Sequence, residues 1–292
     1  MPSTRDIRRR IKSVKNTAQI TKAMQMVASS KMRKAQLAAL AGRPYAKLMN
    51  NVLANVSSES KDFTHPLMEK RDGRRRCVVL VSSDKGLCGA LNSNLTREAL
   101  KLDKDTTVFV CAGKKGAQFV ARNKRKLAAE FTYKDAPLFA EARAISRFVQ
   151  DLFLKGETDS VEVLYTNFIS TLVQKPDNLP LLPVGELKGV QAGVEGEETN
   201  VALEKSGVEF QFEPGPDAVL GALLPHYLNY QIYQILLEAK ASEQSSRMVA
   251  MKNATDNAKQ LIKDLTLEYN KLRQANITKE LLEITTAQMA LG

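Results

Sequence analysis

The sequence predicts an α/β fold: a Rossmann-like α/β domain combined with a long antiparallel two-helix coiled coil formed by the N- and C-terminal segments. Both terminal segments are almost free of glycine and proline and repeat apolar or small residues at heptad spacing. The middle of the chain alternates short β-rich runs with helical runs. We therefore expect an N-terminal coiled-coil helix over residues 1–57, an α/β domain over 74–212 and a C-terminal coiled-coil helix over 213–292.

The N-terminal segment predicts one long helix from Thr4 to about Val56. No glycine occurs before Gly42, and Asp6 stands in what would be the first turn, where a carboxylate is favourable. Pro44 is expected to kink the helix. The predicted seam is built of small and polar residues after its first turns, and it comprises Ile7, Ile11, Val14, Ala18, Thr21, Gln25, Ala28, Met32, Ala35 and Ala39.

The middle segment predicts a mainly parallel sheet covered by helices. The candidate strands are Cys77–Ser83, Thr107–Ala112, Ser160–Tyr165 and Val208–Phe212. The candidate helices are Ala90–Leu100, Gly116–Arg122 and Leu138–Phe153. The stretch Pro183–Gly207 is rich in Gly and Glu and predicts a long loop.

The C-terminal segment predicts a second long helix from about Asp217 to the end. Its first seam is Leu228, Ile232, Ile235, Ala239, Ser242, Ser246 and Val249; the pattern blurs over residues 252–260 and resumes at Leu261, Leu265, Leu272, Ile277, Leu281 and Ile284. A long isolated helix is marginal in water, so it requires a partner, and the N-terminal helix is the obvious one. No charged residue follows Glu283, which favours insertion of this end into an apolar socket over simple fraying.

The positive charge is confined to the first helix. The net charge is +11, and residues 1–47 contain twelve Lys and Arg against the single acid Asp6, so the rest of the chain is neutral. A solvated helix face, a nucleic-acid-binding surface and a surface for acidic proteins are all compatible with this pattern. Because Tyr45 is the segment's only aromatic residue and its seam is built of small residues, acidic protein surfaces are the better match.

Several other classes of protein are excluded by composition. No run of about 18 apolar residues is present, so we expect no transmembrane segment. Three cysteines are too few for a disulfide framework and indicate a reducing compartment. No signal peptide is recognisable, because the basic start is not followed by an apolar run.

The search for catalytic chemistry is mostly negative. Ser83–Gly89 is a Gly-containing turn after a strand, but it lacks the spacing of a phosphate-binding loop; a nucleotide-binding α/β enzyme remains the alternative. Cys88 has no nearby histidine to activate it. His65 and His226 are too few for a metal cluster, and Asp84 is typical of a turn. We therefore expect no catalytic residue, cofactor or metal.

Four segments carry a resemblance to a known family. Ile7–Ala28, Ser83–Gly89, Ala241–Asn257 and Tyr269–Glu280 closely resemble, in the same order, the characteristic segments of the gamma subunits of F-type ATP synthases. Lys85 stands where arginine is usual in that family, which is a small departure. The resemblance covers nearly the whole chain, looks bacterial, and lacks a cysteine-bearing regulatory insertion.

The resemblance implies a rotor rather than an enzyme. A gamma subunit of this kind stands in a ring of alpha and beta subunits, binds the epsilon subunit and sits on the membrane ring of c subunits. It couples proton-driven rotation to ATP synthesis at the beta subunits. The implied location is the cytoplasmic face of the bacterial inner membrane, as a peripheral protein with no nucleic-acid partner.

The resemblance also implies contact residues. The implied coupling contacts with the beta subunits are Met24, Arg247, Arg273, Gln274 and Thr278. The implied contacts with the c ring are Phe212 and Glu213.

Overall fold

The computed structural model describes residues 3–59, 65–184, 213 and 215–291, and within them the chain forms two compact units. One unit comprises Ala28–Arg247; the other comprises Met1–Val27 and Met248–Gly292. The α-helices are α1 (Thr4–Ala41), α2 (Arg43–Glu59), α3 (Leu91–Leu100), α4 (Lys114–Arg122), α5 (Phe139–Leu154) and α6 (Pro216–Leu291). The strands are β1 (Arg76–Val81), β2 (Thr107–Ala112), β3 (Lys126–Phe131), β4 (Ser160–Phe168) and β5 (Gln174–Leu182).

The larger unit is built on a five-stranded sheet in the order β3-β2-β1-β4-β5. β1 to β4 pair in parallel, and only β5 runs antiparallel to its neighbour β4. The central register aligns Val79 with Val110 on one side and with Val163 on the other. These inner strands are continuous apolar runs because both faces of a covered parallel sheet are buried.

Alternate residues of β1 enter two separate cores. Cys77, Val79 and Val81 face a core that also contains side chains of α2, α5 and the first part of α6. Val78 and Leu80 face a second core with side chains of α3 and α4. The mainly parallel sheet covered by helices confirms the predicted α/β class.

The observed elements differ from the predicted ones in three places. The strands β3 and β5 were not expected, and the break in the N-terminal helix falls at Gly42 rather than at Pro44. At Gly42 the carbonyl accepts a hydrogen bond from the Tyr230 hydroxyl, 2.7 Å away, and an added Cβ would lie only 2.5 Å from that oxygen. The predicted strand Val208–Phe212 and nearly all of the predicted loop lie outside the described residues.

The smaller unit is a pair of antiparallel helices, the start of α1 and the end of α6. The Thr21 and Thr255 hydroxyls are 2.7 Å apart, and the Arg8 guanidinium donates to the Tyr269 hydroxyl. The residue that lies earlier in α1 thus contacts the residue that lies later in α6, so the two helices are antiparallel. This confirms the predicted antiparallel pairing. The buried and half-buried positions of α6 also settle its register through the blurred stretch, and they include Met251, Thr255, Ala258, Ile262, Leu265, Tyr269 and Leu272. Leu261 was expected in this seam and is 40% exposed, so that expectation was wrong; its neighbour Ile262 is half-buried instead.

The predicted seam of the N-terminal helix is confirmed throughout. Every one of its ten positions from Ile7 to Ala39 is buried or half-buried. In the described part of the chain, no helix combines the length and the apolarity needed to cross a membrane.

Candidate functional site

The end of α6 presents three of the predicted contact residues to solvent. Arg273, Gln274 and Thr278 are all exposed. The Thr278 hydroxyl donates to the Gln274 carbonyl at 2.9 Å, as expected for residues one helical turn apart. Arg273 has no ion-pair partner within the described residues, so its guanidinium is available to another molecule.

The same stretch exposes large apolar side chains. Every described side chain from Arg273 to Met289 is exposed, and the large apolar ones are Ile277, Leu281, Leu282, Ile284 and Met289. Ile277, Leu281 and Ile284 were expected in the helix-helix seam, and that expectation was wrong. The reason is length: α1 begins at Thr4, and Arg8 already lies level with Tyr269, so α6 continues past its partner.

The remaining predicted contacts lie elsewhere. Met24 is half-buried on α1, and its neighbours Met26 and Val27 are exposed. Glu213 is exposed, and Phe212 lies outside the described residues. Arg247, by contrast, is largely buried. The structure therefore gathers Arg273, Gln274 and Thr278 on one stretch of α6 but encloses Arg247 among side chains of the larger unit.

Arg247 belongs to a charged cluster that we define as Lys31, Asp135, Lys240, Glu243 and Arg247. Arg247 Nη2 lies 2.8 Å from Glu243 Oε1, and Lys240 Nζ lies 2.9 Å from Glu243 Oε2. Lys240 Nζ also lies 3.7 Å from Asp135 Oδ1, and Lys31 Nζ lies 2.5 Å from Asp135 Oδ2. The cluster thus joins α1, α6 and the segment between β3 and α5 in one chain of ion pairs.

The cations of the charged cluster favour the ionised form of Asp135 by lowering its pKa. The hydrogen bond from Lys31 lowers the pKa of Asp135, and the charges of Lys240 and Lys85 act in the same direction. Lys240 Nζ lies 4.7 Å from the centre of the Tyr133 ring, a cation-π contact. Burial, reinforced by the Glu243 carboxylate, raises the pKa of Tyr133 well above its usual value, so Tyr133 stays a neutral hydrogen-bond donor to the Ser82 carbonyl.

The Ser83–Gly89 loop is attached to this cluster and to the surrounding loops. Arg247 Nη2 donates to the carbonyls of Lys85 at 3.3 Å and Gly86 at 3.2 Å. The Asp84 carboxylate accepts from the backbone N–H of Lys114, and the Ser83 hydroxyl and Asn92 amide bond each other at 2.7 Å. These bonds connect the side chains of Ser83 and Asp84 to the first turns of α3 and α4.

The cysteines are packing residues in this structure. Cys77, Cys88 and Cys111 are buried free thiols. Burial raises the pKa of Cys77 and Cys111 to about 12, so both remain protonated near neutral pH. The Asn92 amide donates to Cys88 Sγ at 3.3 Å. No group of His, Cys, Asp and Glu among the described residues is close enough to hold a metal ion.

Four members of the charged cluster were not predicted as functional from the sequence: Lys31, Asp135, Lys240 and Glu243. Lys240, Glu243 and Arg247 follow one another at spacings of three and four, which places them on one face of a helix and was a usable signal. Asp135 carried no such signal, because its contact with Lys240 depends on the tertiary fold.

Comparison with known proteins identifies relatives that match nearly the whole length of this chain. A family model described as ATP synthase matches residues 3–291. The ATP synthase gamma chain of Opitutus terrae is 52% identical over 295 residues, covering 99% of each chain. The chain belongs to the ATP synthase gamma-chain family. The gamma chain of Methylacidiphilum infernorum is 45% identical over the full length of both chains.

The fold of this family member also matches chains in solved ATP synthase structures, one of them a structure of a central stalk and c-ring. A chain of the Tetrahymena thermophila mitochondrial ATP synthase central stalk and c-ring structure is 27% identical, with a TM-score of 0.59, and covers 80% of this chain and 99% of its own length. A chain of the Euglena gracilis mitochondrial ATP synthase is 20% identical with a TM-score of 0.66, covering 99% of this chain and 94% of its own, and shows the same fold.

Proposed function

We propose that this gamma-chain family member is the central-stalk rotor subunit of an F-type ATP synthase. In this role it couples proton-driven rotation of the membrane c ring to conformational change and ATP synthesis at the beta-subunit catalytic sites. The observation that carries the proposal is the end of α6, which continues past its partner helix with every described side chain from Arg273 to Met289 exposed.

The exposed end of α6 has the character of a segment that is covered by other subunits. At about 1.5 Å per residue it extends roughly 25 Å. A helix of this length is marginal in water, and its exposed leucines and isoleucines would remain unburied without a partner. A ring of alpha and beta subunits would bury the apolar residues and offer partners to Arg273, Gln274 and Thr278.

The proposed role is mechanical rather than catalytic. In the loop that resembled a phosphate-binding turn, the side chains of Ser83 and Asp84 accept hydrogen bonds from Asn92 and from the backbone N–H of Lys114. A rotor acts instead by stabilising a different conformation of each beta subunit at each angle, which is an allosteric effect of a bound protein on three sites. Individual contacts of about 0.5–3 kcal/mol suit this, because they can be exchanged at every step.

The other partners follow from the same assignment. We propose that the basic N-terminal helix faces acidic elements of the beta subunits and that the larger unit binds epsilon. Phe212 and Glu213 are proposed to contact the c ring, and Met24 and Arg247 to take part in coupling to beta. The proposed location is the cytoplasmic face of the bacterial inner membrane, as a peripheral subunit.

The experiment is the assembly of an ATP synthase with this chain as its gamma subunit, in membrane vesicles of a strain lacking its own gamma subunit. ATP hydrolysis and ATP-driven proton pumping are measured on the same vesicles. The test variant is Met24→Lys, and the matched control is Met26→Lys, the same substitution at an exposed position two residues along α1.

The wild-type chain should assemble with alpha, beta and epsilon and pump protons. Met24→Lys should pump fewer protons per ATP hydrolysed, while the amount of assembled complex and Met26→Lys remain close to wild type. A chain that does not co-purify with alpha and beta, or a Met24→Lys enzyme with an intact pumping ratio, would contradict the proposal.

A further inference from the structure

The last turns of α6 within the larger unit are held from several sides. Lys240, Glu243 and Arg247 lie on one face of the helix and form the ion pairs of the charged cluster. On other faces, the Ser242 hydroxyl donates to the Thr166 carbonyl at 2.9 Å, and the Ser245 hydroxyl donates to the Thr171 carbonyl at 2.8 Å. With the Lys85 and Gly86 carbonyls that accept from Arg247, four separate segments of the larger unit therefore contact about two turns of the helix.

The inner part of the charged cluster is deeply buried, and the charges of Lys240, Arg247, Glu243 and Asp135 sum to zero. The side chains of Lys240 and Glu243 are only 2% and 5% exposed, whereas Asp135 at the rim is 53% exposed. The Glu243 carboxylate stands between two cations, Lys240 and Arg247, and Asp135 supplies the second negative charge. Lys31 caps the outer oxygen of Asp135 at the surface.

Buried ion pairs are poor sources of stability, so their placement here requires another explanation. Moving charges out of water costs free energy that mutual attraction repays only with good geometry, and an apolar cluster of similar volume is often as stable. Ion pairs and hydrogen bonds, unlike apolar contacts, depend on the relative orientation of the groups that form them. A small rotation of α6 about its axis would separate Lys240 from Asp135 and Arg247 from the carbonyls of Lys85 and Gly86, while apolar contacts would simply slide.

We propose that Lys240, Glu243 and Asp135 are positioning residues. They fix the rotation of α6 about its own axis within the larger unit, the α/β unit, so that the helix and the sheet turn together. The inference rests on the proposed function as a rotor. In that function, torque delivered to the α/β unit reaches the end of α6 only if the helix does not rotate within the unit.

The test compares three variants in the assembled ATP synthase. Glu243→Gln removes the central charge, and Asp135→Asn removes the connection to the segment before α5. The double variant Lys240→Met with Glu243→Gln leaves no unpaired lysine in the interior, and Arg247 keeps the carbonyls of Lys85 and Gly86 as hydrogen-bond acceptors. The matched control is Glu98→Gln, which removes an exposed pair with Lys101 on α3 of the same unit. Hydrolysis, proton pumping per ATP and thermal unfolding of the full chain are measured for each.

The double variant separates positioning from stability. We expect its unfolding temperature to return toward that of the wild-type chain, while protons pumped per ATP stay reduced at least about threefold. Glu243→Gln and Asp135→Asn should lower the ratio as well, and Glu98→Gln should not. If the double variant restores pumping together with stability, or if all variants pump normally, the inference is wrong. Failure of the wild-type chain to assemble or pump would instead contradict the proposed function itself.

Discussion

The two parts of α6 share one uninterrupted helix but have opposite surroundings. From Leu224 to Ser246 nearly every side chain is buried or half-buried, including polar ones such as Lys240 and Glu243. From Arg273 to Met289 every described side chain is exposed, including Leu281 and Met289. The first part is thus stabilised within this chain, whereas no other described residue of the chain buries the large apolar side chains of the second. The comparison teaches that apolar content alone does not tell a core helix from a docking helix.

The largest effect that would test this contrast is expected from Leu228→Ala. Leu228 is fully buried in the core on α6, so the substitution leaves a cavity and should lower the free energy of unfolding by about 2–5 kcal/mol. The control is Leu281→Ala, at a side chain that is 58% exposed; its effect should stay within about 0.5 kcal/mol. Urea unfolding of the full chain measures both, and equal effects would remove the distinction.

A second test concerns pH and the buried Glu238. Burial raises the pKa of Glu238 to about 8 from its ordinary 4.5; the Tyr165 hydrogen bond opposes this rise and Asp177 adds to it. Between these two pH values the folded chain keeps a proton that the unfolded chain has lost, so stability falls as pH rises through this window.

Glu238→Gln should therefore flatten the pH dependence and raise the unfolding temperature above that of wild type at pH 8, with little difference near pH 4.5. Glu268→Gln, at an exposed position further along α6, serves as the control. Parallel pH curves for wild type and Glu238→Gln would show that Glu238 is not the titrating group.

A third and smaller effect is expected in the two-helix unit. Thr255→Val keeps the shape of the side chain but removes the buried hydrogen bond between the Thr21 and Thr255 hydroxyls, at a cost of about 1 kcal/mol. Thr266→Val, at an exposed position of α6, should cost less. Thermal unfolding of the two variants gives the comparison, and equal losses for both would show that the Thr21 contact contributes nothing.

The smallest effect on stability, and a clear one on function, is expected from Gln274→Leu. Its exposed position predicts a change in unfolding free energy below about 0.5 kcal/mol. In the assembled enzyme the loss of an amide that can bond a beta subunit should reduce turnover. Rates of hydrolysis and synthesis equal to those of wild type would count against a contact at this position.

The parts of the fold that sequence patterns predicted are those in which local pattern and tertiary packing agree. The strand Thr107–Ala112 was predicted with its observed bounds, because it is a buried apolar run between polar segments. β3 was missed because its residues are mostly exposed, and β5 because Pro176 and Pro180 disfavour a strand. The break at Gly42 depends on Tyr230, a contact that no local pattern reveals.

The candidate site divides along similar lines. Arg273, Gln274 and Thr278 came from a resemblance, and their exposure in the structure leaves them free for the contacts that the resemblance implies. The burial of Arg247 could not be predicted from local sequence, since Lys85, Gly86 and Glu243 surround it only after folding.

The pairing of the first helix with the last has a consequence for how the chain is made. Thr21 and Thr255 are 234 residues apart, and Arg8 and Tyr269 are 261 apart. At about 5–20 residues per second, a ribosome needs roughly 10–50 s to make the intervening chain. The core of the larger unit also cannot form until α6 has been synthesised, because it combines Met49 and Leu53 of α2 with Leu224 and Leu228 of α6. The N-terminal helices therefore leave the ribosome long before α6, with which they pack, has been synthesised. The native contacts of α1 and α2 with α6 form only when synthesis is almost complete.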